Sequence, residues 1–240
     1  MTMVIAEDWN ALRAQAEARL AANPADSEAL HALGRIAIDG DVGSDALRQS
    51  VLKQAESCVA ARPADALCQL TYGQLFGNFL NRMGGLEALG SVSKVQASFE
   101  AAAAAAPADF DARESLVTFY SRAPGFVGGS YRKARSQAMD FSRYDAPRAH
   151  LLLALIALDE NGPAQAEQEM SHIGDAAADA DLRRLIAKRW LAIGQSYLEE
   201  SQNDRAAAAF HRALSNGAPS VAAAASRALD KLEPPIVRSE

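Results

Sequence analysis

Four histidines and two cysteines are the side chains of this 240-residue chain best suited to metal or nucleophilic chemistry. His31, His150, His172 and His211 fall in different predicted helices. No two stand four residues apart, the spacing that sets two imidazoles on one helix face, so no metal site is expected. Cys58 and Cys68 are too few for a four-cysteine zinc site, and no His–Asp pattern beside them marks a thiol nucleophile. The remaining candidate is the loop Gly125-Phe126-Val127-Gly128-Gly129-Ser130, followed by Arg132 and Lys133. Glycines before a helix start, with basic residues in its first turn, can hold an anion on free backbone N–H groups. The loop lacks the lysine spacing of a phosphate-binding loop, and a helix rather than a strand precedes it. Ser130 has no strand-to-helix elbow around it, and its expected role is to cap the next helix. The residues imply no catalytic group and no cofactor.

The elements that would position these residues are helices. Alanine runs at 101–106, 206–209 and 222–225 sit among apolar residues at helical spacing. Three turns repeat as Asn23-Pro24-Ala25-Asp26, Arg62-Pro63-Ala64-Asp65 and Ala106-Pro107-Ala108-Asp109, and Tyr144-Asp145-Ala146-Pro147 is a shifted version. Proline cannot continue the helix before it, and aspartate caps the helix after it. Before each turn a triad at spacing i, i+4, i+7 recurs, first as Leu12, Ala16, Arg19, then as Val51, Ala55, Cys58 and Val95, Phe99, Ala102. Ala134, Ala138, Phe141 and Ala166, Met170, Ile173 continue it, each marking one buried helix face. These signals predict helices at 8–22, 27–39, 45–61, 66–82, 91–105, 110–122, 130–143, 148–160, 163–173, 180–200, 203–215 and 219–232. The first is a lone half-repeat and the last a terminal cap. One domain over 1–233 and a disordered tail over 234–240, after Pro234-Pro235, complete the reading.

Trp190-x2-Ile193-Gly194-x2-Tyr197, followed by Ala206-x3-Phe210, carries a signature that resembles the tetratricopeptide repeat (TPR). The resemblance implies an all-α, right-handed α-solenoid of stacked TPR-like helix hairpins, with small residues where two helices touch. The close-approach position is Gly34, Gly73, Val117, Ala154 and Gly194 in turn, so the third and fourth repeats are degenerate. The stretch Ala123-Pro-Gly-Phe-Val-Gly-Gly-Ser130 is similar to a loop in bacterial TPR proteins that are usually exported. That likeness implies a periplasmic home. The alternative is the cytoplasm, since Met1-Thr-Met-Val-Ile-Ala has no basic region and is not expected to be a signal peptide.

The chain carries 24 basic and 30 acidic residues, net −6, which disfavours nucleic acid as a partner. No stretch approaches the roughly 20 apolar residues that span a bilayer, so no direct membrane insertion is expected. The expected function is a non-catalytic scaffold that binds a peptide or helix of another protein in a concave groove lined by the first helix of each hairpin. The register places His31, Arg35, Leu70, Gln74 and Glu114 in that groove, followed by Thr118, Leu151, Leu155, Leu191 and Gln195. The competing reading of the leucines is packing inside a tightly wound solenoid. One functional alternative is a small-ligand or anion-binding protein, or an enzyme, using the Gly-rich loops 84–90 and 124–130. Another is an oligomerising structural subunit. Phe126 is expected to anchor its loop onto the 84–90 loop, or else to meet a partner. Cys58 and Cys68 flank the Pro63 turn, close enough for a disulfide, or for two buried apolar thiols.

Overall fold

A computed structural model of the chain describes residues 9–39, 44–83, 90–174, 179–216 and 219–232. The described residues form twelve α-helices and no strand. They are α1 (Trp9–Ala22), α2 (Ser27–Asp39), α3 (Asp45–Ala61), α4 (Ala66–Met83), α5 (Val92–Ala105) and α6 (Phe110–Arg122). After a short 3-10 turn at Gly125–Val127 come α7 (Tyr131–Phe141), α8 (Ala146–Asp159), α9 (Pro163–Ser171), α10 (Ala180–Glu199), α11 (Asn203–Asn216) and α12 (Pro219–Leu232). Packing divides them into two compact units, whose described parts are 9–137 and 138–232. The tail beyond Leu232 lies outside the described residues.

The turns form as their composition dictates. The N–H of Asp26, Asp65 and Asp109 each reaches back to the carbonyl three residues earlier, at 3.0 Å. Each carboxylate then accepts the N–H three residues ahead, from Ala29 at 2.9 Å, Cys68 at 3.1 Å and Ala112 at 2.7 Å. Asp145 does the same for Arg148, so α8 begins at Ala146, two residues before the expected start. Pro147 fits inside the first turn, where a backbone N–H would have no helical acceptor. Asp179 caps α10 in the same way, accepting the N–H of Leu182 at 2.9 Å. Arg148 joins the two caps, donating to Asp145 at 2.7 Å and to Asp179 at 3.0 Å. The other boundary differences are frayed ends, with α7 stopping at Phe141 and α9 at Ser171.

In the N-terminal unit α2, α4 and α6 lie side by side, with α3 and α5 as their antiparallel partners and α1 against α2. Val51, Ala55, Cys58, Val95, Phe99 and Ala102 are all buried, as is Ala134 at the start of α7. The α1 triad is the exception. Ala16 is buried, while Leu12 is 43% exposed and Arg19 points to solvent, where it pairs with Asp26 and Glu28. Among the described residues no helix precedes α1 to cover that face. In the C-terminal unit α8 pairs with α9 and α10 with α11, and α12 closes the end against α10 and α11 through Val221 and Ala225.

The glycines lie where the register puts them. A β-carbon on Gly194 would fall 2.4 Å from the Phe210 ring, and one on Gly73 would fall 2.6 Å from the Phe99 ring. Backbone and aromatic face are in direct contact there. Gly194→Leu or Ala206→Leu is expected to lower stability by about 1–3 kcal/mol through overpacking, because Ala206 is fully buried as well. Thermal melts read this directly, and an unchanged midpoint would mean that the helix faces are misassigned.

Cys58 and Cys68 form a disulfide, with Cα atoms 5.6 Å apart, inside the core cluster that joins α3 to α4. The ten-residue separation closes a short loop, for which chain entropy gives about 2.5–3 kcal/mol. Urea unfolding before and after reduction and alkylation should differ by about that amount. Thiol titration of the oxidised, unfolded chain should find no free thiol, and two would reject the bond.

Candidate functional site

Each first helix follows an Asp-capped turn. In the N-terminal unit a shared face is built from α2, α4 and α6, and polar side chains bridge the neighbours. His31 Nδ1 lies 3.0 Å from Thr71 Oγ1, and the Gln74 amide donates to Ser115 Oγ at 3.1 Å. Arg35 is exposed, while Gln74, Glu114 and Thr118 are half-buried and reachable. Burial holds the His31 pKa below its ordinary value and Arg35 lowers it further, while the carboxylates of Asp111 and Asp109 oppose the shift. The face thus has a basic end at Arg35 on α2 and an acidic end on α6.

Three of the expected groove residues are not on an open surface. Leu70, Leu151 and Leu155 are 1%, 0% and 4% exposed, so the packing reading holds for them. Their helices bury most of one broad side, and α8 is apolar almost all round, which leaves leucine at this register position inside. In the C-terminal unit Leu191 is half-buried and Gln195 exposed. Sequence reasoning missed Thr71 and Ser115, which stand eight residues after Pro63 and Pro107. Comparing the turns residue by residue would have revealed this shared polar position beside the apolar one.

The inserted loop is closed on itself. The N–H of Gly128 reaches Gly125 O at 3.2 Å, that of Gly129 reaches Pro124 O at 3.2 Å, and that of Ser130 reaches Tyr120 O at 2.7 Å. Those three donors are spent, which weighs against an anion cradle. Ser130 accepts the Lys133 N–H at 3.3 Å, the capping role expected of it. Gly129 has no room for a side chain, since a β-carbon would fall 1.6 Å from Ala123 O, and Gly128 takes φ +107°. Phe126 does not anchor the loop: its side chain is 78% exposed on a turn whose closure is made by backbone atoms alone. The partner loop invoked for anchoring, residues 84–89, lies outside the described residues.

Two further clusters share one pattern. Tyr120 donates to Glu100 at 2.6 Å with the Lys133 ammonium 5.2 Å from its ring centroid. Tyr197 donates to Glu167 at 2.9 Å with the Arg205 guanidinium 4.8 Å from its ring centroid. Burial first, and then the carboxylate, pushes both phenols up to about 12. Elsewhere His150 lies beside His172, ring centroids 5.0 Å apart, and 2.9 Å from Glu169. Among the described residues no group of three or more His, Cys, Asp or Glu is arranged to hold a metal ion.

No family model matches the sequence, and no curated protein sequence matches it. Solved structures do resemble the fold. A thermophilic TPR protein of Thermus thermophilus is 19% identical, with a TM-score of 0.58 over 76% of this chain and 91% of that one. A tetratricopeptide repeat protein from Parabacteroides merdae is 14% identical, with a TM-score of 0.46 over 91% of this chain and 93% of that one. Together with the all-helical hairpins, the first likeness defines a TPR-like fold of the α-solenoid class.

The His31 shift gives a pH prediction. Folding favours the neutral imidazole, so the unfolded chain binds the extra proton as pH falls through the unperturbed value of 6.5. This contribution therefore costs stability in acid and vanishes above that value. The wild type should lose stability relative to His31→Gln between about pH 7.5 and pH 5. Paired urea titrations at the two pH values measure it, and parallel curves would refute the shift.

Proposed function

We propose that the chain is a non-catalytic scaffold that binds a segment of another protein along the α2–α4–α6 face. The observation that carries this reading is the bridging of three first helices by the His31–Thr71 and Gln74–Ser115 pairs. These pairs hold the surface in one shape before any ligand arrives, which reduces the ordering cost of binding. The charges suit an extended segment with an acidic residue at the Arg35 end and a basic one near Asp111 and Glu114. Amide-bearing side chains such as Gln74 can meet its backbone.

An exported, periplasmic setting belongs to the same proposal. The Cys58–Cys68 disulfide supports it, because such bonds persist in oxidising compartments and are rare in reducing ones.

Selection from a random-peptide display library tests the reading. The wild type should enrich a motif, and Arg35→Glu combined with Glu114→Arg should abolish that enrichment or invert its charge pattern. Equal enrichment by both proteins, or none by either, would overturn it.

A further inference from the structure

A different surface of the N-terminal unit gathers the apolar groups that its core leaves out. Consecutive helices are antiparallel, so the C-termini of α4 and α6 and the N-termini of α3, α5 and α7 meet at one edge. Three contacts fix this. Arg82 near the end of α4 pairs with Asp45 at the start of α3, at 2.7 Å. Gln96 in the second turn of α5 lies against the Gly128 backbone. The N–H of Ser130, beside the start of α7, bonds Tyr120 O near the end of α6.

Large apolar side chains are exposed at seven described positions in the chain, and four of them stand on this edge. They are Phe79 at 38%, Met83 at 48%, Phe126 at 78% and Tyr131 at 37%. Phe79 extends a run of rings, stacked on Phe76, which stacks on Tyr72. Phe126 projects from a loop locked by its own backbone bonds, so its exposure is a fixed feature of the fold.

Among the described residues of this edge, exposed basic side chains stand beside the apolar ones. Residues 115–137 include Arg122, Arg132, Lys133 and Arg135 and no acidic residue, in a protein of net charge −6. Arg132, Lys133 and Lys94 are exposed beside the apolar groups. The one acidic group among the described residues at the start of α3, Asp45, is already paired with Arg82 and Arg48.

We propose that this edge rests on an anionic lipid surface, with Phe126 and its apolar neighbours in the headgroup region and the Lys and Arg side chains on the lipid phosphates. Apolar tips ringed by basic side chains combine the two terms that hold proteins at such interfaces. The contact is peripheral, consistent with no described helix being long and apolar enough to cross a membrane. It leaves the α2–α4–α6 face open and does not depend on what that face binds.

Sedimentation of the full chain with phosphatidylcholine–phosphatidylglycerol vesicles, against phosphatidylcholine vesicles alone, is the test. The wild type should partition onto the anionic vesicles only, and less so as salt rises. Arg132→Glu with Lys133→Glu should lower partitioning by about 30-fold or more. Phe126→Ser should lower it about tenfold. Phe126→Ser should also keep the wild-type melting temperature, because the side chain is 78% exposed. Arg35→Glu, on the other face, should partition like the wild type. Absence of wild-type partitioning, or equal partitioning by all variants, would overturn the proposal. So would light scattering that shows a wild-type oligomer dissolved by Phe126→Ser, which would assign the edge to a second copy of the chain.

Discussion

Two helices can touch backbone to side chain only where one of them gives up its own side chain, and the hairpins here depend on that concession. At Gly73 and Gly194 the backbone lies against the ring of Phe99 or Phe210, with no space for even a methyl group. The aromatic ring fills what the glycine leaves empty, so the pair is a matched set of volumes. Where alanine takes the glycine position, at Ala154, the ring's register position is filled by the slimmer Met170, and both are buried. In that hairpin the residue identities change while their summed volume is kept, which is the quantity a packed core responds to.

Much of this was readable from residue types because the determinants are local. Proline ends a helix and aspartate starts one within three residues, so the turns at Pro24, Pro63 and Pro107 were placed by chemistry that needs no tertiary contact. The turns at Asn161 and Ser201 were not legible in the same way. Both residues take φ +59° at the same point of the two uninterrupted hairpins, but neither is glycine. The chain is held there by bonds from Gly162 N to Ala157 O and from Gln202 N to Tyr197 O, at 2.8 and 2.9 Å. These are helix C-terminal capping bonds that require a left-handed residue just before them, at a cost asparagine bears more easily than serine.

The candidate site was legible in part, for a related reason. Arg35 is exposed and Gln74 and Thr118 are half-buried, as their place on α2, α4 and α6 suggested. Depth was not legible, because a leucine at a surface register and a leucine one layer down have the same spacing. Leu151 illustrates this: α8 buries Leu151, Leu152, Leu155 and Ile156 together, so a single-face pattern could not say which of them looks outward. Phe126 was misjudged by applying an average to an individual. Aromatic rings are usually inside, but this loop needs no ring to close it. Once Gly129 and Ser130 have made their backbone bonds, nothing in the loop's stability requires Phe126 to be covered.

The two Glu–Tyr–cation clusters show how hairpins are joined beyond apolar burial. Tyr120 stands three residues after Val117, and Tyr197 three after Gly194. Glu100 and Glu167 each follow a buried core residue on the preceding second helix, while Lys133 and Arg205 each precede a buried alanine on the following one. One tyrosine thus receives a carboxylate at its hydroxyl from the helix behind and a cation on its ring from the helix ahead. The arrangement uses the two chemistries of the phenol separately, the O–H as a donor and the ring face as a weak anion. It also specifies order, because neither bond can form unless the three helices stack in sequence. Apolar faces alone would tolerate a shifted stack. A buried hydroxyl whose acceptor had moved away would not, since leaving such a donor unmade costs about 1–3 kcal/mol.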